Sequence, residues 1–363
     1  MKMPLPRLYL GTMTFGWSQT SSKVDESVAA TMVDRFMEHE ATSHGGPVRL
    51  DTARIYAGGK TEEIVGSILQ QKNNKDANFL DRILIGTKAH PSRTGGLSAA
   101  GVQGQWNESM QAMKLNDDEM PIEEYYLHQP DTEHPLEESL RYVNEELVQK
   151  GLVKVIGMSN YHVSEVERAF AICAKHSWQA PTVYQGLYNP LNRAVEQELL
   201  PLLRKHKCSF VAYNPLAAGL LTGKHTTLDD VQKGRFKNNP NYLPRFYTQE
   251  NFQAIALIRK ACDDADGMSM VEATYRWLLR HSALRPDVDG VLLGASSLQQ
   301  LNQNLAACAA AVDPLPDDVL QAFEEAWKIT SAVGVFPYWR SYSSDMPARE
   351  TLDQGASYQA SKK

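Results

Sequence analysis

Eight times along this chain a short apolar run recurs in a strand-like pattern, and helical periodicity follows it. The apolar runs lie at 8–16, 48–53, 82–89, 123–129, 153–160, 181–186, 209–216 and 290–296. Helical patterns at 24–39, 61–71, 101–115, 135–151, 163–176 and 194–206 follow the first six, and one at 298–311 follows the last. Between the seventh and eighth runs lie a polar loop at 222–247 and two helical patterns at 250–265 and 269–281. Short, mostly apolar strands alternating with amphipathic helices predict a parallel sheet. Eight units in one chain fit a closed (β/α)8 barrel, the TIM-barrel architecture. An open, doubly wound sheet is the alternative, but no Gly-x-Gly-x-x-Gly follows the first strand.

This pattern implies a single α/β domain over 1–345, with a long loop and extra helices between strands seven and eight and a C-terminal segment over the pocket. The polar stretch 346–363 reads as a flexible tail. With 42% apolar and 22% charged residues the chain reads as globular, and no apolar run reaches the length of a membrane span. A net charge of −6 argues against nucleic acid as a partner. The four cysteines are widely spread with no CxxC pair, which argues against a metal site and fits a reducing, cytoplasmic setting.

In a barrel of this kind the working residues stand at the C-terminal ends of strands. Strand two ends at Asp51, with Tyr56 on the loop beyond. Strand three supplies Lys88 and strand four His128. Strand five supplies Ser159 and Asn160, strand six Gln185, and strand seven Tyr213 and Asn214. Each has a plain structural alternative: a loop carboxylate, a packed tyrosine, a surface lysine, a core histidine. Together the first four make one chemical device. A phenol with a reference pKa of ~10 is a neutral donor near pH 7 but a sluggish acid. A nearby ammonium stabilises the phenolate, a carboxylate keeps that ammonium charged, and a histidine can hold a carbonyl oxygen. Such a set can protonate an alkoxide as hydride arrives at carbon.

The segments "LGTMTFG", "LDTARIYAGGKTEEIVG", "ILIGTK", "YYLHQPD", "GLVKVIGMSN", "VYQGLYNPLNR", "VAYNPLAAGLLTGK" and "LLGASSLQQLNQNL" follow one another over residues 8–330. In this order they resemble the aldo-keto reductase superfamily, and within it the aflatoxin-aldehyde reductase group. The resemblance implies a (β/α)8 barrel that reduces carbonyl compounds with NADPH. It maps the catalytic tetrad onto Asp51, Tyr56, Lys88 and His128, with Tyr56 as proton donor. It assigns Ser159, Asn160 and Gln185 to the nicotinamide carboxamide and Tyr213 to the nicotinamide ring. The segment Asn214–Lys224, with Leu216 and Gly219, resembles the loop along the pyrophosphate. The stretch from Gly294 resembles the adenosine-binding helix start, giving Ser296, Gln300, Gln303 and Asn304. Many family members carry a lysine or arginine there for the 2′-phosphate, and this stretch has neither. Lys224 and Arg235 are the replacements. "GLLTGK" is one residue short of a Walker A loop and is followed by His225, so that reading fails.

On the substrate side, Met13 and Trp17 follow strand one and are expected to wall the pocket. Tyr242 and Arg245 align with a Tyr-x-x-Arg element of the same group, and "FPYWR", with Tyr338 and Arg340, resembles its C-terminal pocket segment. Two arginines would suit an aldehyde carrying a distal acid or second carbonyl, because guanidinium binds such groups bidentately. The resemblance also carries homodimerisation, for which no residue here is decisive. Two other classes remain open on the sequence. One is a non-catalytic, cofactor-binding barrel like the channel-associated β subunits. The other is a Schiff-base aldolase built on Lys88, which would need a near-neutral lysine, whereas Asp51 pushes that pKa up.

Overall fold

A computed structural model describes residues 4–18, 22–39, 46–115, 122–228, 236, 243–353 and 355–356. Eight parallel strands close into a barrel in sequence order. They are β1 (Arg7–Gly11), β2 (Val48–Asp51), β3 (Ile83–Ala89), β4 (Ile122–Leu127), β5 (Val153–Ser159), β6 (Val183–Leu187), β7 (Ser209–Tyr213) and β8 (Gly290–Gly294). The closing pair joins β1 to β8, with Leu10 opposite Leu293. The barrel interior is filled by Tyr9, Tyr126, Val183, Val211 and Leu292, while a larger apolar layer packs between strands and helices.

The helices are α1 (Glu26–Glu38), α2 (Lys60–Asn73), α3 (Ala99–Met113), α4 (Leu136–Tyr142), α5 (Val163–His176), α6 (Leu199–Lys205), α7 (Leu243–Phe246), α8 (Gln249–Asp264), α9 (Met270–Arg276), α10 (Leu298–Ala310) and α11 (Asp317–Ala332). Local signals explain several starts. Asp25, Ser98, Thr248, Ser269 and Ser297 each accept a backbone N–H of the first turn beyond them, satisfying donors a helix end leaves open.

Besides the pattern at 269–281, which forms α9 and ends in a π-turn at Trp277–His281, three helical expectations change. The pattern at 135–151 forms α4 and then a π-turn at Val143–Val148. Asn144 Nδ2 donates to the Leu140 carbonyl, an acceptor the regular ladder would use, which accounts for the widened turn. The pattern at 194–206 breaks into a 3-10 turn (Ala194–Glu196) and α6, because Pro201 in the first turn of α6 has no N–H to offer upstream. The third is α11, a helix absent from the sequence expectations. It buries Val319, Phe323, Ala326 and Thr330, a helical stripe that its acidic start, Asp317 and Asp318, disguises as loop.

Beyond α11 the chain straps across the barrel mouth and down over α4 and α5. The Arg340 N–H donates to the Asn160 carbonyl at 3.0 Å. Ser343 bonds the buried Glu165 through its N–H (3.2 Å) and hydroxyl (2.8 Å). Asp345 receives both arms of Arg168 at 2.8 Å and the Leu136 N–H at 2.9 Å. Within the stretch 346–363, Arg349 donates to the Thr132 carbonyl and Ala356 N–H to the Trp339 carbonyl. Residues 354 and 357–363 of that stretch lie outside the described residues. No helix among the described residues is long and apolar enough to cross a membrane.

Candidate active site

The barrel gathers the strand-end residues at one mouth. Asp51 closes β2 and Lys88 stands on β3, both buried. Lys88 Nζ donates to Asp51 Oδ1, Asp51 Oδ2 and the Thr52 carbonyl, each at 2.7 Å. All three ammonium protons are therefore committed. Burial pushes Lys88 below the ordinary lysine pKa, with Asp51 pulling the other way. The sequence expectation weighed only the carboxylate; the net direction is set by removing the ammonium from water.

Tyr56 opens a short 3-10 turn in which Ala57, Gly58 and Gly59 all have positive φ. That left-handed run swings the chain from the barrel mouth into α2. Its ring centroid lies 5.1 Å from Lys88 Nζ and 5.8 Å from the His128 ring, which it meets at 84°. The turn is braced by residues that sequence reading passed over. Arg54 donates to the Gly59 carbonyl (3.3 Å), Glu62 Oε2 (3.0 Å) and Glu108 Oε2 (3.1 Å). Thr87 on β3 holds the other oxygen of Glu62 at 2.6 Å. A Cβ at Gly59 would collide with the Arg54 guanidinium, and its φ of +101° is also glycine territory. The signal was present in "DTARIYAGGKTEE": a basic residue, two glycines and an acid one helical turn later.

His128 follows β4 and is half-buried, its Nδ1 enclosed with no hydrogen-bond partner among the described residues. Burial, with His90, Lys88 and Arg340 nearby, holds it well below the ordinary imidazole value, so it is neutral. His90 was not anticipated. Its ring stands 4.9 Å from His128 at 84°, and burial with the Arg340 charge brings its pKa down to about 4. The Ser92 N–H donates to His90 Nδ1. Arg340 thus sits where both histidines feel its charge.

The remaining strand ends form a linked polar rim. Asn160, at φ +63°, donates through Nδ2 to the His128 carbonyl (2.8 Å) and Ser159 Oγ (2.9 Å). Tyr213 donates its hydroxyl to Asn160 Oδ1 at 2.8 Å. Gln185 Nε2 donates to Asp51 Oδ1 at 2.8 Å, so this amide also belongs to the Asp51–Lys88 pair. A carboxylate only accepts, so Gln185 must present its NH2 to Asp51, leaving its carbonyl oxygen as an acceptor. Ser159 lies opposite Gln185 in register and keeps a hydroxyl proton to donate. An acceptor and a donor side by side match a carboxamide.

After β7 the backbone runs through positive φ at Asn214, Ala217, Ala218 and Gly219. Asn214 is anchored by Asn189, which donates to its carbonyl at 3.0 Å, and Leu216 packs at the edge of the core. A Cβ at Gly219 or Gly294 would meet nothing within 4 Å, so both glycines border open space. Ser296 donates its N–H and hydroxyl to Gln300 Oε1, each at 2.9 Å, and Asn304 donates to the Gly294 carbonyl at 3.2 Å. These three brace the start of α10, while Gln303 and Lys224 are exposed. The donor set and open glycines fit a dinucleotide carrying a carboxamide at one end.

Met13 and Trp17 are half-buried on the loop after β1, where Thr14 donates to the Ala295 carbonyl and Thr61 of α2 donates to the loop's Phe15 carbonyl. Tyr338 is buried against α5, its hydroxyl accepting the Val163 N–H at 3.3 Å. Arg245 on α7 lies 4.4 Å over the Phe336 ring. It lines a cavity of about 350 Å3 with Asn192, Asn251 and Phe336, and none of the four tetrad residues lines that cavity. Arg235 and Tyr242 lie outside the described residues.

Comparison with known proteins agrees with this fold. Residues 7–328 match the model of the aldo/keto reductase family. The chain is 38% identical over 336 residues to the aflatoxin B1 aldehyde reductase member 2 of Mus musculus, covering 90% of this chain and 86% of that one. The Homo sapiens protein of the same name is 38% identical over 340 residues, covering 90% and 89% of the two chains. The aldo-keto reductase family 7 member A3 of Homo sapiens is 37% identical over 336 residues, covering 90% and 95%. With a closed eight-stranded barrel and a family match over nearly its whole length, the chain belongs to the aldo/keto reductase family.

Proposed function

We propose that this oxidoreductase reduces aldehydes and ketones to alcohols with NADPH, using Tyr56 as the proton donor. The observation that carries the reading is the buried Asp51–Lys88 pair, with its ammonium 5.1 Å from the Tyr56 ring centroid. An ammonium that close favours the phenolate, so the phenol releases its proton more readily. A neutral His128 beside Tyr56 can donate one hydrogen bond to a carbonyl oxygen without itself ionising. Ser159 and Gln185 would hold the carboxamide of the cofactor, which when bound supplies the hydride. Asn160 and Tyr213 would fix the rim beneath it, and the Asn214–Lys224 loop would follow the pyrophosphate. Lys224 and Arg235 would meet the 2′-phosphate.

Dialdehydes, dicarbonyls and semialdehydes are the proposed substrate class. Arg340 supports it, because its backbone is tied to Asn160 at the barrel mouth and a guanidinium suits a distal carboxylate or carbonyl. Arg245 borders a separate cavity and serves as a weaker anchor in this reading. The aldolase reading loses ground because Lys88 offers no lone pair while it donates three hydrogen bonds. The four cysteines are free and buried, which accords with work in a reducing cytoplasm. Loss of NADPH absorbance across a panel of aldehydes tests the reading. Turnover of semialdehydes and dicarbonyls is expected. Tight NADPH binding with no turnover of any carbonyl would favour a regulatory barrel instead.

A further inference from the structure

Beneath the barrel mouth lies a buried polar cluster that the proposed reaction does not use. Glu124 on β4 points into the interior, where carboxylates are rare. Tyr126 donates its hydroxyl to Glu124 Oε2 at 2.6 Å, and Tyr9 donates to Oε1 at 2.9 Å. Arg49 Nη1 reaches Oε1 at 3.2 Å. The barrel is shaped around this cluster. A Cβ at Gly157 on β5 would collide with the Tyr126 ring, and one at Gly290 on β8 with the Tyr9 ring. Gly86 on β3 lies opposite Glu124 in register, against its carboxylate.

The cluster touches the catalytic lysine. Tyr126 pairs with Lys88 across the β3–β4 register, and Lys88 Nζ lies 5.5 Å from its ring centroid. Lys88 thus stands between two phenol rings, Tyr56 and Tyr126. A cation is attracted to an aromatic face. A phenol that donates to a carboxylate becomes richer in electron density, and its face attracts a cation more strongly. Among the described residues, the charged and titratable groups around Glu124 and Lys88 are Tyr9 on β1, Arg49 and Asp51 on β2, Tyr56 and Glu62 beyond it, Glu123 and Tyr126 on β4, and His128 after β4. Glu123 turns outward to Arg49 and to Lys154 of β5. Burial raises the Glu124 pKa, and Arg49 opposes that rise from 3.2 Å.

We propose that Glu124, acting through the Tyr126 phenol, is a second counter-ion of Lys88: a positioning residue that keeps the ammonium charged from inside the barrel, as Asp51 does at the mouth. The inference rests on the proton-donor reading of the tetrad, because it gives Lys88 a charge worth protecting.

The experiment titrates the full-length protein carrying 15N- and 13C-labelled lysine and follows the Lys88 side-chain resonance by NMR. The resonance is assigned by its loss in Lys88→Met. In Glu124→Gln the Lys88 midpoint is expected to fall by about one pH unit. In Tyr126→Phe, which keeps the ring beside Gly157 and removes only the hydroxyl, it is expected to fall less, in the same direction. Unmoved midpoints in the folded variants overturn the proposal, and Tyr126→Phe decides alone if Glu124→Gln does not fold. The readout needs neither substrate nor turnover. A shifted midpoint with an active Tyr56→Phe enzyme would sink the proton-donor reading and leave this one standing; an unshifted midpoint with an inactive Tyr56→Phe enzyme would do the reverse.

Discussion

The Lys88 ammonium lies 2.7 Å from each carboxylate oxygen of Asp51, and the side chains of both are buried. Removing one partner of such a pair leaves the other charge stranded. Lys88→Met is expected to cost about 3–5 kcal/mol of folding stability, read as a drop in the urea midpoint. Adding Asp51→Asn should recover much of that loss, because two neutral groups need no partner charge. Neither variant should regain turnover. A double variant no more stable than the single would show that the pair is not the origin of the cost.

Both histidines at the mouth are held neutral. His90 falls to about 4, and His128 lies well below the ordinary value. The pH profile of kcat/KM for reduction should therefore show no limb near pH 6.5. Stability carries the matching sign. Above about pH 6.5 the folded and unfolded histidines are both neutral; as pH falls below that, the unfolded state takes up protons first and stability declines toward pH 4. In His90→Gln that decline should shrink, as thermal unfolding at a series of pH values would reveal.

His128→Gln keeps a neutral donor and His128→Ala does not. If the histidine holds a carbonyl oxygen, the alanine variant should lose roughly 100-fold in kcat and the glutamine variant clearly less. Equal losses would remove the hydrogen-bonding role.

The C-terminal strap depends on Asp345, whose pKa is lowered chiefly by Arg168 and the Leu136 N–H, against the opposing effect of burial. A depressed carboxylate contributes stability above its unfolded pKa of about 3.9 and loses it as pH falls through the folded value. Asp345→Asn should raise hydrogen exchange at Arg340, Ser343 and Leu136 at neutral pH, where the charged hydrogen bonds are worth about 1–2 kcal/mol. Unchanged exchange at those amides would show that the strap is held by its other contacts.

Substrate choice is expected to follow Arg340. Arg340→Ala should lower kcat/KM for succinic semialdehyde by roughly tenfold or more while sparing butanal, because only the former carries a distal carboxylate. An unchanged ratio would remove the arginine from recognition.

The barrel was legible because apolar strands, amphipathic helices and short loops all pointed to one architecture. The gathering of Asp51, Lys88 and His128 at one mouth was legible because they stand at successive strand ends, where packing alone does not call for ionisable groups. The interior carboxylate was not. "IEEYYLHQ" offers two adjacent glutamates, and strand register alone decides that Glu124 faces inward while Glu123 meets Arg49 and Lys154. Gln185 was expected to meet the cofactor alone; its bond to Asp51 requires the closed barrel, which brings β6 across to β2. Arg54 and Glu62 brace the Tyr56 turn; the basic residue, the glycines and the acid stand in the sequence, but only the left-handed turn at Gly59 shows that they meet.

The central claim is that Tyr56 delivers the proton. Tyr56→Phe keeps the ring beside Lys88 and His128 and removes only the hydroxyl. Fluorescence titration with NADPH and single-turnover reduction of an aldehyde, measured on this variant and the wild type, address it together. Unchanged NADPH affinity with the chemical step slowed by at least about 100-fold is the predicted result. Single-turnover reduction at the wild-type rate would contradict it.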